Sequence, residues 1–245
     1  MAHSLKDVFK LSYVTFNTSN PGIYSEHCHS AYQLWKKQWT ITFKELGTEK
    51  LLTSDDFIDR ELCGLFDGHK AIGIVLFKFM DLKYKSTLDT AYFKNYPTSL
   101  LERNYDLNDT IMVMSYMTID PLWRKLYTNF SVSELLFGFL ILNLNCSKSA
   151  RAICYLRNNR STNEIFYRHS GTFLESTTAY NVAVDFAEAD SSTSTLSTFQ
   201  CHALLNLKLW NNFYQQRKNY ESKRSITSEQ SKSVSRDFSE PALEQ

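Results

Sequence analysis

The sequence predicts an α/β fold in which a central, mixed and mostly antiparallel sheet carries helices on both faces, within one domain over residues 1–220. Three observations favour this class. Segments rich in β-branched and aromatic residues alternate along the chain with amphipathic or apolar helical segments. Asp67 and Gly68 separate two strand-like segments, as in an antiparallel hairpin. The apolar content of 43% is enough for a sizeable buried core.

The first half of the domain is predicted to run strand, helix, strand, strand. Residues 8–16 are rich in β-branched and aromatic residues, and the turn signal NTSNPG follows them. From Ser25 onward apolar residues recur at helical spacing, and Gly47 is placed to end that helix. The two hairpin strands and an irregular or partly helical insertion follow at residues 61–66, 71–80 and 83–108.

The middle of the chain is predicted to form a strand, a helix and a second strand. Residues 111–119, IMVMSYMTI, are apolar enough for a central strand, which an Asp-Pro pair ends. Ser131 and Glu134 form a Ser-x-x-Glu capping box before LLFGFLILNL. This helix is apolar on every side, so we expect it to be surrounded by protein. A short strand follows at residues 151–156.

The last part of the domain is predicted to contain a helix, a strand and a final helix. Ser161 and Glu164 form a second capping box, which opens a helix that Gly171 should close. Residues 180–186 alternate as a strand. The final helix carries the apolar residues Leu204, Leu205, Trp210 and Phe213. The Ser-rich and charged tail, residues 221–245, is predicted to be disordered.

The composition disfavours several classes of protein. A formal charge of +1 gives no field that would favour nucleic acid or anionic lipid as a general partner. The five cysteines form no Cys-x-x-Cys pair, which indicates reduced thiols in a cytoplasmic protein. The longest apolar run, residues 135–142, is far shorter than the roughly 20 residues of a membrane-spanning helix. The chain lacks GxSxG, Walker, HExxH and dinucleotide glycine motifs, which disfavours hydrolase, NTPase and dehydrogenase functions.

Two stretches resemble motifs of the GNAT superfamily of N-acyltransferases. YMTIDPLWRK, residues 116–125, resembles the family's VxPxxRxxG run from a strand end into the pyrophosphate loop. NNRSTNEIFYRHSGTF, residues 158–173, resembles its NxxAxxxYxxxGF stretch. The predicted order of elements agrees with the family over residues 8–186. The loop RKLYTNFSV differs from the family in having no glycine, and Asn129 is the residue there that best tolerates a left-handed conformation.

The resemblance implies an N-acyltransferase without a metal. It would move an acyl group from acetyl-CoA, a longer acyl-CoA or an acyl carrier protein to an amine acceptor. Tyr167 resembles the family's tyrosine that protonates the departing thiolate. The implied donor-binding positions are Met117, Thr118, Ile119, Arg124, Lys125, Asn129, Ser131, Val132 and Asn159. Val113 and Tyr116 stand where acyl-homoserine-lactone synthases usually carry a Glu-x-x-Arg, so the chain is not assigned to that branch.

Other interpretations of the same residues stay open. Tyr167 could instead pack its ring on the sheet, and Arg124 with Lys125 could be a solvated pair at the start of a loop. The whole chain could also be a GNAT-fold binding or interaction module that has lost catalysis. The loop without glycine and the Ser-rich tail fit that alternative.

Histidines supply further candidates for a base. His27 and His29 lie at the start of the first helix, where the family places acceptor-binding residues, and His169 lies beside the second motif. A metal at Glu26, His27, Cys28 and His29 is disfavoured, because neighbouring positions on a helix point in different directions.

Overall fold

The computed structural model describes residues 5–48, 52–94, 96, 110–124, 131–169, 171–179, 181–192, 205 and 207–218. Its strands are β1 Ser12–Asn17, β2 Glu61–Asp67, β3 Lys70–Asp81, β4 Thr110–Ile119, β5 Arg151–Arg157, β6 Gly171–Ala179 and β7 Val182–Asp190. Its α-helices are α1 Leu5–Val8, α2 Ser25–Glu45, α3 Lys85–Leu88, α4 Ala91–Lys94, α5 Val132–Asn145, α6 Thr162–Arg168 and α7 at residues 207–218.

All seven strands belong to one mixed sheet with the order β1-β2-β3-β4-β5-β7-β6. Every neighbouring pair is antiparallel except β4 and β5, which are parallel. These two strands pair through Met112 with Ala152 and Val113 with Ile153, close to the start of each strand. Beyond those residues they diverge. The sheet therefore contains a wedge-shaped gap toward the carboxyl ends of β4 and β5.

Helices cover both faces of the sheet, and the predicted fold class is confirmed. Residues of α5 and α7 share one hydrophobic cluster with alternate residues of β2 to β5. Ala31 and Trp35 of α2 belong to a second cluster on the opposite face. The α5 helix is buried on nearly every side, as its apolar sequence predicts. This helix and α2 lie on opposite faces of the gap between β4 and β5.

Several predicted boundaries shift, and one strand was missed. The first strand begins at Ser12 rather than at residue 8, because Leu5–Val8 is helical. The strand predicted at residues 180–186 is the longer β7, which pairs with β6. No strand was predicted at β6, because this edge strand is mostly exposed and rich in Ser and Thr, without an apolar alternation. Asn181, with a φ of 61°, forms the turn between the two strands.

The helix termini confirm the predicted end of α2 at Gly47 and half of the capping box at Ser131. They refute the capping box predicted at Ser161. Gly47 has the left-handed φ of 63° expected after the end of α2. Ser131 Oγ accepts the Glu134 backbone N–H at 3.2 Å, but the Glu134 carboxylate pairs with Arg168 at 3.2 Å instead of closing the capping box. The capping box predicted at Ser161 is wrong: this residue is left-handed, and its side chain caps nothing.

Gly171 also differs from its predicted role. The helix ends at Arg168, and Gly171 is the first residue of β6. A Cβ at Gly171 would lie 2.2 Å from Cδ1 of Phe166, a distance that no real contact tolerates. Close packing of β6 on the Phe166 ring, rather than a helix cap, therefore requires glycine here.

Some predictions fall outside the described residues. The predicted insertion contributes α3 and α4, and residues 97–109 lie outside the description. The same holds for Lys125, for Asn129 and for the predicted tail. The prediction of a single domain over residues 1–220 stays a prediction. None of the described helices is both long and apolar enough to span a membrane.

Candidate active site

A cavity of about 430 Å³ occupies the gap between the diverging strands β4 and β5. Its walls come from the second half of β4, the end of β5, the carboxyl-terminal half of α2 and the start of α5. Six of the predicted donor-binding residues line it: Met117, Thr118, Ile119, Arg124, Ser131 and Val132. The structure thus brings together residues that lie on separate elements of the sequence.

The two ends of this cavity differ in chemistry. The end on the α2 face is polar, with Gln38, Thr42 and Glu45 of α2 facing arginines from other elements. The end on the α5 face is apolar and is formed by Val75, Met114, Phe137, Leu140, Cys154 and Ile165. Leu140 is 1% exposed and Phe137 3% exposed, so this end lies within the main hydrophobic core. A ligand that fills the cavity would pass through the sheet, with a polar part on one face and an apolar part on the other.

The β4 wall of the cavity contains a β-bulge at Tyr116. Ser115 pairs with Leu76 and Thr118 with Ile74, so that Tyr116 and Met117 both lie opposite Val75. Tyr116 has a φ of 52°, which a side-chain-bearing residue adopts at an energetic cost. A bulge leaves its extra residue out of the ladder. Backbone groups near Met117 are therefore available to a ligand in the cavity.

The strained Tyr116 is held from two sides. Its hydroxyl donates to Asp56 Oδ1 at 2.7 Å, and its ring meets Trp39 edge-on with the ring centroids 5.0 Å apart. Thr118 Oγ donates to the Tyr116 carbonyl at 2.9 Å and accepts the Trp39 indole N–H at 3.0 Å. Thr118 is 3% exposed, so these bonds are shielded from water. The surrounding side chains thus fix the conformation of the bulge.

Three arginines line the polar end. Arg124 donates to the Ile119 carbonyl at 3.2 Å and to Gln38 Oε1 at 2.9 Å. Arg160 forms an ion pair with Glu45 at 2.8 Å. Burial, followed by the charge of Arg160, lowers the pKa of both Arg124 and Arg157. Both of these guanidinium groups still carry their charge at neutral pH.

The start of α5 also lines the cavity. Ser131 caps the helix, and Ser131, Val132 and Ser133 face the cavity. The first N–H groups of a helix have no partner within it and carry a partial positive charge. Both this helix start and Arg124 line the cavity. Each of them can therefore accept a negatively charged group.

The cavity lining does not include Tyr167. Its hydroxyl donates to Asp185 Oδ2 at 2.7 Å, and burial together with that carboxylate raises its pKa. On α6 it is Ile165 that faces the cavity, and residues two positions apart on a helix point in different directions. The role of Tyr167 as the acid stays a prediction.

Asp185 joins the elements that surround Tyr167. Its carboxylate accepts hydrogen bonds from Ser176 at 2.5 Å, Asn163 at 3.0 Å and Tyr167. Burial alone would raise the pKa of this carboxyl, but these hydrogen bonds outweigh it and hold the pKa below its usual value. The same carboxylate also accepts a hydrogen bond from Asn158, directly after β5. Asp185 thus anchors the segment that carries Arg157 and Arg160.

The remaining predicted residues lie elsewhere or at the rim. Asn159 belongs to the 3₁₀ turn Asn158–Arg160 at the end of β5. His27 packs edge-on against His69 and Phe66, and the cavity lining includes neither His27 nor His29. His169 is 5% exposed, and burial lowers its pKa, but it also lies outside the lining. Among the residues that the structure describes, no cluster of three or more potential ligands is placed to hold a metal.

Sequence reasoning missed Arg157, Arg160 and Tyr116. The two arginines had a signal, since RNNR directly follows the strand before the second motif. Tyr116 had none: bulges are usually marked by glycine, and a tyrosine within an apolar strand reads as an ordinary strand residue.

Comparison with known proteins identifies the fold. No protein-family model matches the chain, and no curated protein matches it in sequence. Among solved structures, BjaI, a CoA-dependent acyl-homoserine lactone synthase with SAM and isopentyl-CoA, matches with a TM-score of 0.55 and 12% identity, over 74% of this chain and 83% of that one. FeeM, an N-acyl amino acid synthase from uncultured soil microbes, matches with a TM-score of 0.53 and 10% identity, over 76% and 97%.

TofI in an apo form matches with a TM-score of 0.50 and 14% identity, over 79% of this chain and 99% of that one. At these identities the likeness concerns the fold and not the activity. The sheet order, the divergence of β4 and β5 and these structural matches agree with one another. The chain is therefore a divergent protein with the fold of the GNAT N-acyltransferases.

Proposed function

We propose that the protein is an N-acyltransferase that moves an acyl group from a phosphopantetheine thioester, on coenzyme A or on a carrier protein, to an amine. One observation carries the proposal. A single cavity runs from a cationic end, past a strained β-bulge, to an apolar end. A thioester donor has the same sequence of parts: phosphates, a polar pantetheine arm and an acyl chain.

The donor would lie along the second half of β4. The backbone of Met117, Thr118 and Ile119 would pair with the amide groups of pantetheine, which need partners when they leave water. Arg124 and the start of α5 at Ser131 and Val132 would hold the phosphates, and Lys125, Asn129 and Asn159 remain further proposed ligands. Helix N-termini and guanidinium groups both bind phosphate.

The apolar end favours an acyl group longer than acetyl. Phe137, Leu140, Met114 and Cys154 present no charged group to this part of the cavity. Burial of each methylene group of an acyl chain contributes about 0.8 kcal/mol. The Cys154 thiol is itself a poor nucleophile, because burial raises its pKa. We therefore assign this end to the acyl chain and not to a covalent intermediate.

The reaction would be a direct attack of the amine on the thioester carbonyl. The nitrogen forms a bond to the carbonyl carbon and the C–S bond breaks, while the amine gives up one proton and the departing thiolate takes one up. N–H groups freed at the bulge would stabilise the negative oxygen that develops, which is often the largest contribution to such catalysis. Placing both reactants in one cavity also lowers the entropic cost of bringing them together for reaction. Tyr167 remains the proposed source of the thiol proton.

Two of the structural neighbours support this assignment. BjaI is described as CoA-dependent, and FeeM as an N-acyl amino acid synthase. Neither description identifies the donor or acceptor of this chain, because the sequence identities are near 10%. Val113 and Tyr116 occupy the positions of the missing Glu-x-x-Arg, so homoserine-lactone synthesis is not proposed.

One observation favours an alternative, a binding module without catalysis. Among the described lining residues Glu45 is the sole carboxylate and no histidine is present, while Glu45 is paired with Arg160. Such a cavity holds a ligand but offers no free base to an amine. The module would bind an acyl thioester and release no thiol.

Thermal unfolding with acetyl-, octanoyl- and palmitoyl-CoA tests the proposal. A ligand at 100 times its Kd stabilises the folded state by about 2.7 kcal/mol. For a chain of this size that corresponds to a rise in Tm of roughly 5–10 °C. We expect this rise for an acyl-CoA, a loss of most of it in Arg124→Ala, and no loss in Lys37→Ala, which removes an exposed charge of α2 outside the lining.

The same samples distinguish the enzyme from the module. Release of free thiol with a panel of primary amines supports the enzyme, and donor binding without thiol release supports the module. No shift with any acyl-CoA would contradict a coenzyme A site and direct the test to carrier-protein donors.

A further inference from the structure

The polar end of the cavity carries an excess of positive charge. Arg124, Arg157 and Arg160 line it, and Glu45 is the one acidic residue among the described lining residues. The lining thus has a formal charge of +2, from three arginines and one glutamate. Asp120 lies near Arg124, but its carboxylate accepts a hydrogen bond from the Leu122 backbone N–H and lies 3.8 Å from Lys70 Nζ. When Asp120 is counted beside Glu45, two negative charges face three positive ones, and one positive charge remains in excess.

The hydrogen bonds show which arginines lack an anionic partner. Glu45 is committed to Arg160, at 2.8 Å. Arg124 donates to the neutral oxygens of Ile119 and Gln38. Within the part of the chain that the structure describes, the Arg157 guanidinium forms neither a hydrogen bond nor an ion pair. Two of the three cations thus face the cavity without a carboxylate.

Holding these charges together is costly without an anion. Arg157 is only partly exposed, and a charge that leaves water is destabilising unless it is paired. Arg160 and Arg124 both repel the Arg157 guanidinium, and only Glu45, which is already paired with Arg160, attracts it. Three arginines placed for packing alone would relieve this repulsion by turning outward. Their convergence on one cavity mouth indicates a ligand that neutralises them.

Guanidinium groups select the kind of ligand. Their planar, multidentate N–H groups fit phosphate and carboxylate oxygens better than any other common anionic group. Arg157 is the last residue of β5 and Arg160 lies in the 3₁₀ turn that follows it, on the wall opposite Ile119 and the start of α5. Arg124, assigned above to the donor phosphates, lies close enough to Arg160 for the two charges to repel each other. An anion between the two walls would therefore meet guanidinium groups from both.

We propose that Arg157 and Arg160, together with Arg124, form an oxyanion subsite that binds a phosphate or carboxylate group of the ligand in the cavity. This proposal rests on the proposed function only in the identity of the molecule that carries the phosphate or carboxylate group. It is either a phosphate of the thioester donor or an acidic group on the amine acceptor. In both cases the bound anion fixes the ligand on the α2 face, beside the bulge at Tyr116.

Pyrophosphate binding to the full-length protein tests the subsite without any acyl group. We expect wild-type protein to bind inorganic pyrophosphate, and Arg157→Ala to raise the half-saturating concentration about tenfold or more, since a charge-assisted hydrogen bond is lost. Arg157→Lys keeps the positive charge but lacks the paired N–H donors of a guanidinium group. Its half-saturating concentration should therefore fall between those of wild type and Arg157→Ala. Lys37→Ala should stay within about twofold of wild type, because it changes net charge equally outside the cavity.

Either of two results would overturn the subsite. The first is that wild type does not bind pyrophosphate at all, and the second is that Arg157→Ala and Lys37→Ala weaken pyrophosphate binding equally. A comparison of Tm without ligand shows whether each variant is folded. Failure of acyl transfer alone leaves the pyrophosphate result standing, so the two proposals fail independently.

Two further probes identify the source of the oxyanion. If coenzyme A binds more tightly than pantetheine and Arg157→Ala removes that advantage, the group is a donor phosphate. If the advantage remains and Arg157→Ala weakens binding of succinate, a dicarboxylate probe, the group is an acidic function of the acceptor. If neither probe responds to Arg157→Ala, the subsite does not serve a ligand of the cavity and the inference is wrong.

Discussion

Thr118→Val tests whether the bulge in β4 is held by the hydrogen bonds around it. Valine has nearly the same shape as threonine but neither donates to the Tyr116 carbonyl nor accepts from Trp39. Both partners lie in a shielded position, since Thr118 is 3% exposed. Leaving a buried polar group without a partner costs about 1–3 kcal/mol. We therefore expect the free energy of unfolding to fall by about 2 kcal/mol and Tm by roughly 4–8 °C.

Thr118→Val should weaken ligand binding as well as the fold. Without the hydroxyl, Tyr116 can relax from its φ of 52°, and the backbone near Met117 moves relative to the cavity. Chemical unfolding measures stability, and an acyl-CoA titration measures the Kd, which we expect to rise at least tenfold. Thr118→Ser keeps the hydroxyl and is the matched control. Equal stability of wild type and Thr118→Val, or a serine variant as impaired as the valine variant, would show that these hydrogen bonds do not hold the bulge.

Three further variants test other parts of the structure. Asp185→Asn should lower the free energy of unfolding near pH 7 by about 1–3 kcal/mol, because the amide cannot accept as many hydrogen bonds. Since the pKa of Asp185 is lowered on folding, this carboxylate stabilises the protein above its unfolded pKa of about 4. The difference in stability between wild type and Asp185→Asn should therefore vanish as the pH falls through the pKa of the folded state. Urea unfolding at a series of pH values measures this difference. Leu140→Phe should fill the apolar end and raise the Kd for palmitoyl-CoA at least tenfold while that for acetyl-CoA changes less than twofold; equal losses for both would place the acyl chain elsewhere. Tyr167→Phe should lower the free energy of unfolding by about 1–2 kcal/mol through the lost bond to Asp185. A hundredfold fall in kcat at constant KM would establish Tyr167 as the acid, and an unchanged kcat would make it structural.

Most of the fold could be predicted from local sequence signals. The Asp67-Gly68 turn, the apolar strand that became β4 and the uniformly apolar α5 each depend on neighbouring residues alone, and each is present. The missed β6 shows where such signals end. It is an exposed edge strand whose stability comes from pairing with β7, which no local pattern of its own residues records.

The candidate site divides in the same way. Met117, Ile119 and Arg124 could be identified because strand ends and the cations that follow them are visible in the sequence. Tyr116 owes its conformation to the register of β4 against β3, and Arg157 owes its place to the divergence of β4 from β5. The conformation of Tyr116 and the position of Arg157 both depend on how distant segments align. Neither could therefore be predicted from the sequence of one segment alone.

In the proposed complex one acyl-thioester donor fills the cavity from the arginines to the apolar end. The most direct test is a crystal structure of the protein with S-octyl-coenzyme A, a stable thioether analogue. We expect the sulfur to lie beside Met117 and the octyl chain to contact Phe137 and Leu140. An octyl chain that lies outside the gap between β4 and β5, or a ligand bound elsewhere on the protein, would contradict this arrangement.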